Sequence, residues 1–412
     1  MPLGEGPTLK ATVSSDVEAR NAGHLRRLNL ERILAVAMDR ASPFTRAELI
    51  EATGLSAPTV GHLTTDLIRR GLFRDLGAGP SRGGRRPSCM EFNAHFGFVA
   101  AIDLGPTKTR LALADLRGER LGHRVVPTPS GLGPQALLSR VAAAVKTLMR
   151  EADVPRDRLL AVAAGAPGAV DPVRGVVVAL APNLKGWNDV PMAEILERAL
   201  EAPVVVENDV NLAVLGERWQ GAAQGHDNCV FISLGTGIGA GVVVGGALHR
   251  GQHFGAGEIG LMCMGPQFVD KDYAPQGCLE TLAGLKALAR RWPRSARDNP
   301  ERWIGELVEA ARNSDRRARK AVEEVATLIG IATANLSLVV DPSLVVLGGA
   351  VAQGDMIVEE IRRIVGKIVP LPIRIVVSAL GKEAPLWGSL LVAINEARGR
   401  LRQSLRVARG VH

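Results

Sequence analysis

The feature that most constrains this chain is a pattern that occurs twice. A strand beginning at Val99 runs through Asp103 into the turn Gly105-Pro106-Thr107-Lys108, and a second strand, Leu111 to Ala114, ends at Asp115. The same order returns between Asn228 and Val244, where Val230-Phe231-Ile232-Ser233-Leu234 enters Gly235-Thr236-Gly237-Ile238-Gly239 and leaves through Ala240 to Val244. Each reads as a β-hairpin whose turn offers backbone N–H groups and small side chains to an anion, as glycine-rich loops do for phosphate. One such loop is a weak signal. Two of them predict a pair of similar lobes facing a cleft. With 412 residues, 46% of them apolar, the chain has material for this and for a further domain.

The first ninety or so residues have a different texture. Leu28, Ile33, Leu34, Val36 and Ala37 predict an amphipathic helix over Leu25–Met38, broken by Ser42-Pro43. Thr45 with Glu48 has capping-box spacing and opens a second helix that Gly54 ends. Ser56 caps a third, in which Val60, Leu63 and Leu67 share one face while Ala57, Pro58, Thr59, Gly61 and His62 point outward. Two short helices about a Gly turn make a helix-turn-helix. A strand start at Gly71–Arg74, a turn at Gly77–Pro80, the loop Ser81–Pro87 and a strand at Cys89–Phe92 add a basic hairpin. Between Arg69 and Arg86 stand six arginines against one acid, Asp75, and the whole chain carries a net charge of +8. The expectation is a winged helix-turn-helix for operator DNA. Ser56, Ala57, Pro58, Thr59 and His62 would set sequence preference, and Arg82, Arg85 and Arg86 would supply phosphate or minor-groove attraction. The plain alternative is a three-helix module with a solvated basic loop.

Beyond the two hairpins, further segments follow in order: Ala166-Pro167-Gly168-Ala169-Val170-Asp171, Ala181 to Trp187, Val206-Glu207-Asn208-Asp209-Val210-Asn211, Gly255 to Gly260, Gly277 to Glu280 and Leu347-Gly348-Gly349-Ala350. Their order and content resemble the ROK family of repressors, open reading frames and kinases over nearly the whole chain. The resemblance implies an N-terminal α+β winged helix-turn-helix followed by an α/β, two-lobed domain of the actin/hexokinase-like (ribonuclease H-like) fold. The domains would be a flexible leader over 1–20, the DNA-binding domain over 21–95, the sugar-kinase-like domain over 96–403 and a basic tail over 404–412. Arg398, Arg400, Arg402, Arg406 and Arg409 read as a solvated helix face to which no function is given. By the same resemblance Asp209 matches the general base that accepts a proton from the attacking sugar hydroxyl, vestigial here. Gly168, Asn183, Asn208, Glu258 and Glu280, with Asp209, match sugar-binding positions. Gly105, Thr107, Gly235, Thr236, Gly237 and Gly239 match the two phosphate loops. For the polar residues among these, capping and turn formation are the alternative.

Two departures separate regulator from enzyme. The family's first loop reads Asp-x-Gly-Gly-Thr, and Pro106 replaces the second glycine, removing an N–H donor and fixing φ. That counts against ATP, although the second loop is intact. The family's zinc is held by a His after Glu-x-Gly and by a Cys-x-Cys-Gly-x-x-Gly-Cys run. Here Leu261, Lys271 and Tyr273 stand at three of the ligand positions and Cys278 alone remains, with Cys263 and His253 off register. No metal and no cofactor are therefore expected. Cys89, Cys229, Cys263 and Cys278 do not form a disulfide framework. No apolar run reaches the roughly 18 residues of a membrane span, and Met1–Ala11 does not resemble a secretory signal, so a cytoplasmic protein without a membrane partner is expected. The leading reading is a DNA-binding repressor of carbohydrate metabolism, a homodimer or homotetramer whose degenerate kinase cleft senses a sugar. An active or bifunctional ATP-dependent sugar kinase is the alternative, and a ligand-independent DNA-binding protein is the third.

Overall fold

The computed structural model describes residues 10–78, 88–129, 131–181, 184, 186–293 and 300–407. Arg82, Arg85, Arg86 and Asn183 lie outside the described residues. The chain divides into two units: the first runs to Phe98 and takes in Asp115–Glu119 and the segment from Ile394, and the second holds Val99–Ala114 and Arg120–Ala393.

The first unit contains α1 (Lys10–Asp39), β1 (Phe44–Thr45), α2 (Arg46–Thr53), α3 (Ala57–Arg69), β2 (Phe73–Ala78) and β3 (Ser88–Phe92). Helix α1 starts at Lys10 rather than Leu25, so the leader expected over 1–20 is helical for half its length. Residues 11–22 lack an apolar stripe, yet Ala11, Glu18, Ala19, Arg20 and Ala22 are good helix formers that extend a helix anchored further on. The anchor is Leu30, Ile33, Leu34 and Ala37, all buried, whereas Leu28 is left exposed. The strands form one sheet of order β1-β3-β2. Strand β2 passes through Gly77 instead of turning there: a bulge between Asp75 and Gly77 shifts the β2–β3 register, and Gly77 takes φ 76°. Phe44 and Phe73 meet edge-on at 5.4 Å beneath the helices.

The second unit begins with β4 (Phe98–Leu104), β5 (Lys108–Asp115), β6 (Arg120–Pro127), α4 (Pro134–Glu151), β7 (Leu159–Ala166), β8 (Ala169–Asp171), β9 (Val176–Ala179), α5 (Met192–Leu200), β10 (Val204–Asn208) and α6 (Asp209–Gln220). It continues through β11 (Cys229–Leu234), β12 (Ile238–Val244), β13 (Ala247–Leu248), α7 (Cys278–Ala283), α8 (Leu285–Arg291), α9 (Pro300–Arg312), α10 (Arg316–Val340), β14 (Leu344–Gly348), α11 (Asp355–Ile368), β15 (Arg374–Val377) and the first part of α12 (Ala384–Val407), whose residues from Ile394 belong to the first unit. Its two large sheets have the orders β10-β7-β4-β5-β6 and β13-β12-β11-β14-β15. Counted from its own first strand, each sheet is a three-stranded meander joined by a fourth and fifth strand on the other side. The repeat read from the two hairpins is thus a repeat of whole sheets. The late strands pair in parallel, β7 with β10, and β11 with β14 with β15. Every residue of β14 is buried, as expected of a strand covered on both faces.

Helix α10 is long and apolar enough to cross a membrane by length and composition, but 56% of its apolar window is buried. It supplies Val322, Val325 and Ile329 to a core shared with Ile304 and Leu307 of α9 and Ile357 and Ile361 of α11. Helix α6 is held close to the first part of α12. A Cβ on Gly388 would lie 1.8 Å from the Leu212 carbonyl oxygen, and one on Gly216 would lie 2.2 Å from that of Ala384. Only glycine permits that approach, and it fixes the N-terminus of α6, where Asp209 sits.

Candidate functional site

Two surfaces collect the residues singled out in the sequence. The first is the outer face of α3. Thr45 and Glu48 form the expected capping box, with the Thr45 N–H donating to the Glu48 carboxylate at 2.6 Å, and Gly54 ends α2 in the left-handed region at φ 66°. The Ser56 hydroxyl accepts from the Thr59 N–H at 3.4 Å, with proline in the first turn of α3. Val60, Leu63 and Leu67 are buried, which turns Ser56, Ala57, Pro58 and His62 to solvent and leaves Thr59 half-buried. Thr65, one turn beyond His62, shares the exposed face, and the i, i+3 spacing could have found it.

Charge on this unit differs from the linear count. The buried Asp66 carboxylate pairs with Arg26 and Arg70, each at 3.1 Å, and with Arg69. Burial pushes its pKa up, but the hydrogen bonds from Arg69, Arg70 and Arg26 outweigh that and hold it at about 2. Arg74 faces Glu91 at 3.4 Å. Three of the six arginines counted between positions 69 and 86 are therefore ion-paired, two with an acid just before that window and one with an acid just after it. A linear window misses partners that a helical turn and a cross-strand pair supply. Arg398 is not a solvated tail residue either: it donates to the carbonyls of Leu116 at 3.1 Å and Met38 at 3.0 Å.

The second surface is a cleft in the second unit, built where strands end. Asp103 closes β4 and is buried, with Arg110 of β5 at 3.1 Å. Asn208 ends β10 and caps α6, its Oδ1 accepting from the N–H groups of Val210 at 2.8 Å and Asn211 at 3.0 Å. Its Nδ2 donates to the Gly168 carbonyl at 2.9 Å. The capping role weighed as the alternative is thus present at Asn208. Gly168 itself takes φ 91°, and a Cβ there would lie 2.4 Å from the Ala179 carbonyl oxygen. Asp209 is the first residue of α6. Glu258 precedes the 3-10 turn Ile259–Leu261, and Glu280 lies on α7, where one carboxylate oxygen accepts from the Ile238 N–H at 2.9 Å. That bond ties α7 to the second glycine turn.

These carboxyls crowd one another. Burial, with Asp103 close by and Glu258 also adding repulsion, pushes Asp209 up to about 7 against the pull of the Val210 N–H. Burial and Glu280 push Glu258 up to about 7. Asp103 is raised by burial despite Arg110, and Glu280 by burial despite the Ile238 N–H. With pKa values of about 7, Asp209 and Glu258 can both donate and accept hydrogen bonds near neutral pH, as neighbouring sugar hydroxyls require. An anionic ligand would meet repulsion. The sequence reading did not place Asp103 in the site; the signal was an acid at the end of a strand before a glycine turn.

The ROK family pattern matches residues 99–396. The chain belongs to the ROK family. A xylose repressor from Caldicellulosiruptor bescii is 28% identical over 388 residues, covering 90% of this chain and 96% of its own length. The crystal structure of a ROK hexokinase from Thermus thermophilus has 34% identity and a TM-score of 0.60, covering 73% of this chain and 99% of its own. That of a ROK family transcriptional regulator, a homolog of the E. coli MLC protein, has 23% identity and a TM-score of 0.74, covering 93% of this chain and 99% of its own. The second unit therefore has the actin/hexokinase-like fold of ROK sugar kinases.

Set beside ROK kinases, the turns and the metal segment diverge. In the β4–β5 turn the Gly105 N–H closes the hairpin on the Lys108 carbonyl at 3.2 Å, Pro106 has no N–H, and Thr107 is exposed. In the β11–β12 turn Gly235 bonds the Gly237 carbonyl at 3.0 Å, and Thr236 is exposed at the tip. Only the second turn keeps the full glycine cradle. Leu261, Lys271, Tyr273 and Cys278, which the resemblance read from the sequence matches to zinc ligands, all line one cavity of about 700 Å³. The Lys271 ammonium lies over the Phe268 ring at 5.4 Å, and Phe268 meets Tyr273 edge-on at 6.4 Å. One buried thiol, an ammonium, a phenol and an alkyl group do not make a zinc site.

Proposed function

We propose that this chain is a sugar-responsive transcriptional regulator, acting as a repressor of carbohydrate metabolism. The observation that carries the reading is coverage. A repressor relative spans 90% of the chain, N-terminal unit included, whereas the hexokinase spans 73%. On this reading the first unit is a winged helix-turn-helix. The outer face of α3, through Ser56, Ala57, Pro58, Thr59 and His62, reads operator bases, and Arg82, Arg85 and Arg86 bind phosphate or the minor groove. The cleft binds a neutral aldose through Gly168, Asn183, Asn208, Asp209, Glu258 and Glu280, with xylose the first sugar to test because repressor relatives carry its name. The crowding of Asp103, Asp209, Glu258 and Glu280 favours a neutral sugar over a sugar phosphate. The assembly is a symmetric homodimer or homotetramer on an inverted repeat.

Titrating salt while measuring binding to operator and to random duplex tests this reading. Replacing Arg82, Arg85 or Arg86 is expected to weaken both and to flatten the salt slope by roughly one unit per lost phosphate contact. Replacing Thr59 or His62 is expected to keep the slope and reduce discrimination. Arginine variants that lose discrimination but keep their slope would reverse the assignment. A second reading, an active sugar kinase, is favoured by Asp209, whose pKa near 7 suits a general base, and by the intact turn at Gly235–Gly239. ADP release across a sugar panel, abolished by Asp209→Asn, would establish it.

A further inference from the structure

We propose that the cavity at the replaced zinc positions is a subsite for an apolar aglycone, so that the effector is a glycoside rather than a free sugar. This rests on the reading of the cleft as a sugar-sensing site and narrows its ligand.

The cavity adjoins the carboxylates through the chain itself. Leu261 closes the turn that follows Glu258, and Cys278 stands two places before Glu280 on the same helix. The two walls touch there: a Cβ on Gly277 would lie 2.6 Å from the Gly260 carbonyl oxygen. A ring held by Glu258 and Glu280 therefore has the cavity as its neighbour. Its lining is unusual for a water-exposed surface. Leu180, Leu261 and Val269 are exposed by 40%, 46% and 68%, and all three line this one cavity. Leu180 is also held at φ 63°, a left-handed conformation that side chains other than glycine and asparagine seldom adopt. Trp187 lines the cavity too, and its buried indole N–H has no hydrogen-bond partner among the described residues.

The occupant follows from the balance of the lining, in which apolar side chains outnumber hydrogen-bonding ones. A second sugar ring would need partners for each of its hydroxyls; Asn188, Lys271 and Tyr273 could serve some of them, but Leu180, Leu184, Leu261, Phe268 and Val269 serve none. An aryl or alkyl substituent needs only apolar contact and displaces water from exposed leucine and valine. The occupant is accordingly apolar, attached to a sugar that the carboxylates recognise.

Titration calorimetry on the full chain with D-xylose, D-glucose, xylobiose and the phenyl α- and β-glycosides of both monosaccharides tests this. At least one phenyl glycoside is expected to bind tenfold or more tighter than its parent sugar. That gain is expected to vanish in Val269→Asp, a change at an exposed position, and in Phe268→Ala, while parent-sugar affinity stays within about twofold. Parent sugars that bind as well as every phenyl glycoside would overturn the subsite and leave the sugar-sensing reading standing. So would a gain that survives both substitutions, or a xylobiose gain equal to that of the phenyl group. If no probe binds at all, both readings fall together.

Discussion

The floor of the cleft and the wall beside it carry different chemistry on one architectural background. The floor holds the carboxyls Asp209, Glu258 and Glu280 at the ends of strands and helices that glycine contacts hold in place. The wall from Leu261 to Cys278 presents an alkyl group, an ammonium and a phenol, from Leu261, Lys271 and Tyr273, at the positions that the resemblance read from the sequence matches to metal ligands. A backbone can outlast its chemistry, because its course is set by packing and turn geometry while a metal site depends on every ligand at once.

The sharpest way to break that comparison is to give the wall its donors back. The triple variant Leu261→His, Lys271→Cys, Tyr273→Cys, together with the native Cys278, is expected to bind about one zinc per chain. It should gain about 4 kcal/mol of stability at free zinc a thousandfold above Kd. Elemental analysis of the unaltered chain is expected to find no stoichiometric zinc. A full equivalent there, lost with Cys278→Ser, would mean that the wall is still a metal site built from other residues.

What the sequence made legible follows the same line between local and distant. Thr45 with Glu48, Gly54 as a left-handed cap and the two strand-turn-strand segments were readable because each depends on neighbours a few residues away. Gly77 was misread as a turn because only the partner strand reveals a bulge. The pairing of Arg69, Arg70 and Arg74 depends on Asp66 and Glu91, which lie outside the window counted. Asn208 was legible as important, but its hydrogen bond to Gly168 spans two loops far apart in the chain. The cavity at the former metal positions was invisible for the same reason, since its other side comes from Leu180, Leu184 and Trp187.

A second test bears on the floor. Asp209 and Glu258 have folded pKa values near 7, above the ordinary carboxylate range. A carboxyl raised on folding leaves its stability contribution complete below its unfolded pKa and loses it as pH rises through the folded one. For a pKa near 7 the loss between pH 6 and pH 8 is on the order of 1 kcal/mol per group. Asp209→Asn removes one such group, so the variant should gain that amount on the unaltered chain between those two pH values in urea denaturation. A difference that stays flat would show that the floor is not crowded in solution. Bound sugar should reduce the effect by giving the carboxyls hydrogen-bond partners.

The smallest expected effect concerns Pro106, which stands at the other replaced position, in the β4–β5 turn. Proline there restricts the unfolded chain, and glycine would free it, so Pro106→Gly should lower stability by about 1 kcal/mol or less. The same change returns the missing N–H donor and the φ freedom that a phosphate loop uses. If that proline alone had ended catalysis, the variant would release ADP with xylose or glucose at a rate in the ordinary range of roughly 1–10³ s⁻¹, and Asp209→Asn would abolish it. We expect no such turnover, because the wall beside Glu258 carries Leu261, an alkyl side chain that cannot hydrogen-bond a sugar hydroxyl. Nucleotide binding without turnover in Pro106→Gly would sharpen the comparison, separating a turn that one residue can reopen from a wall that needs several. Turnover would instead show that the floor had remained catalytically competent and that a single missing donor had kept it silent.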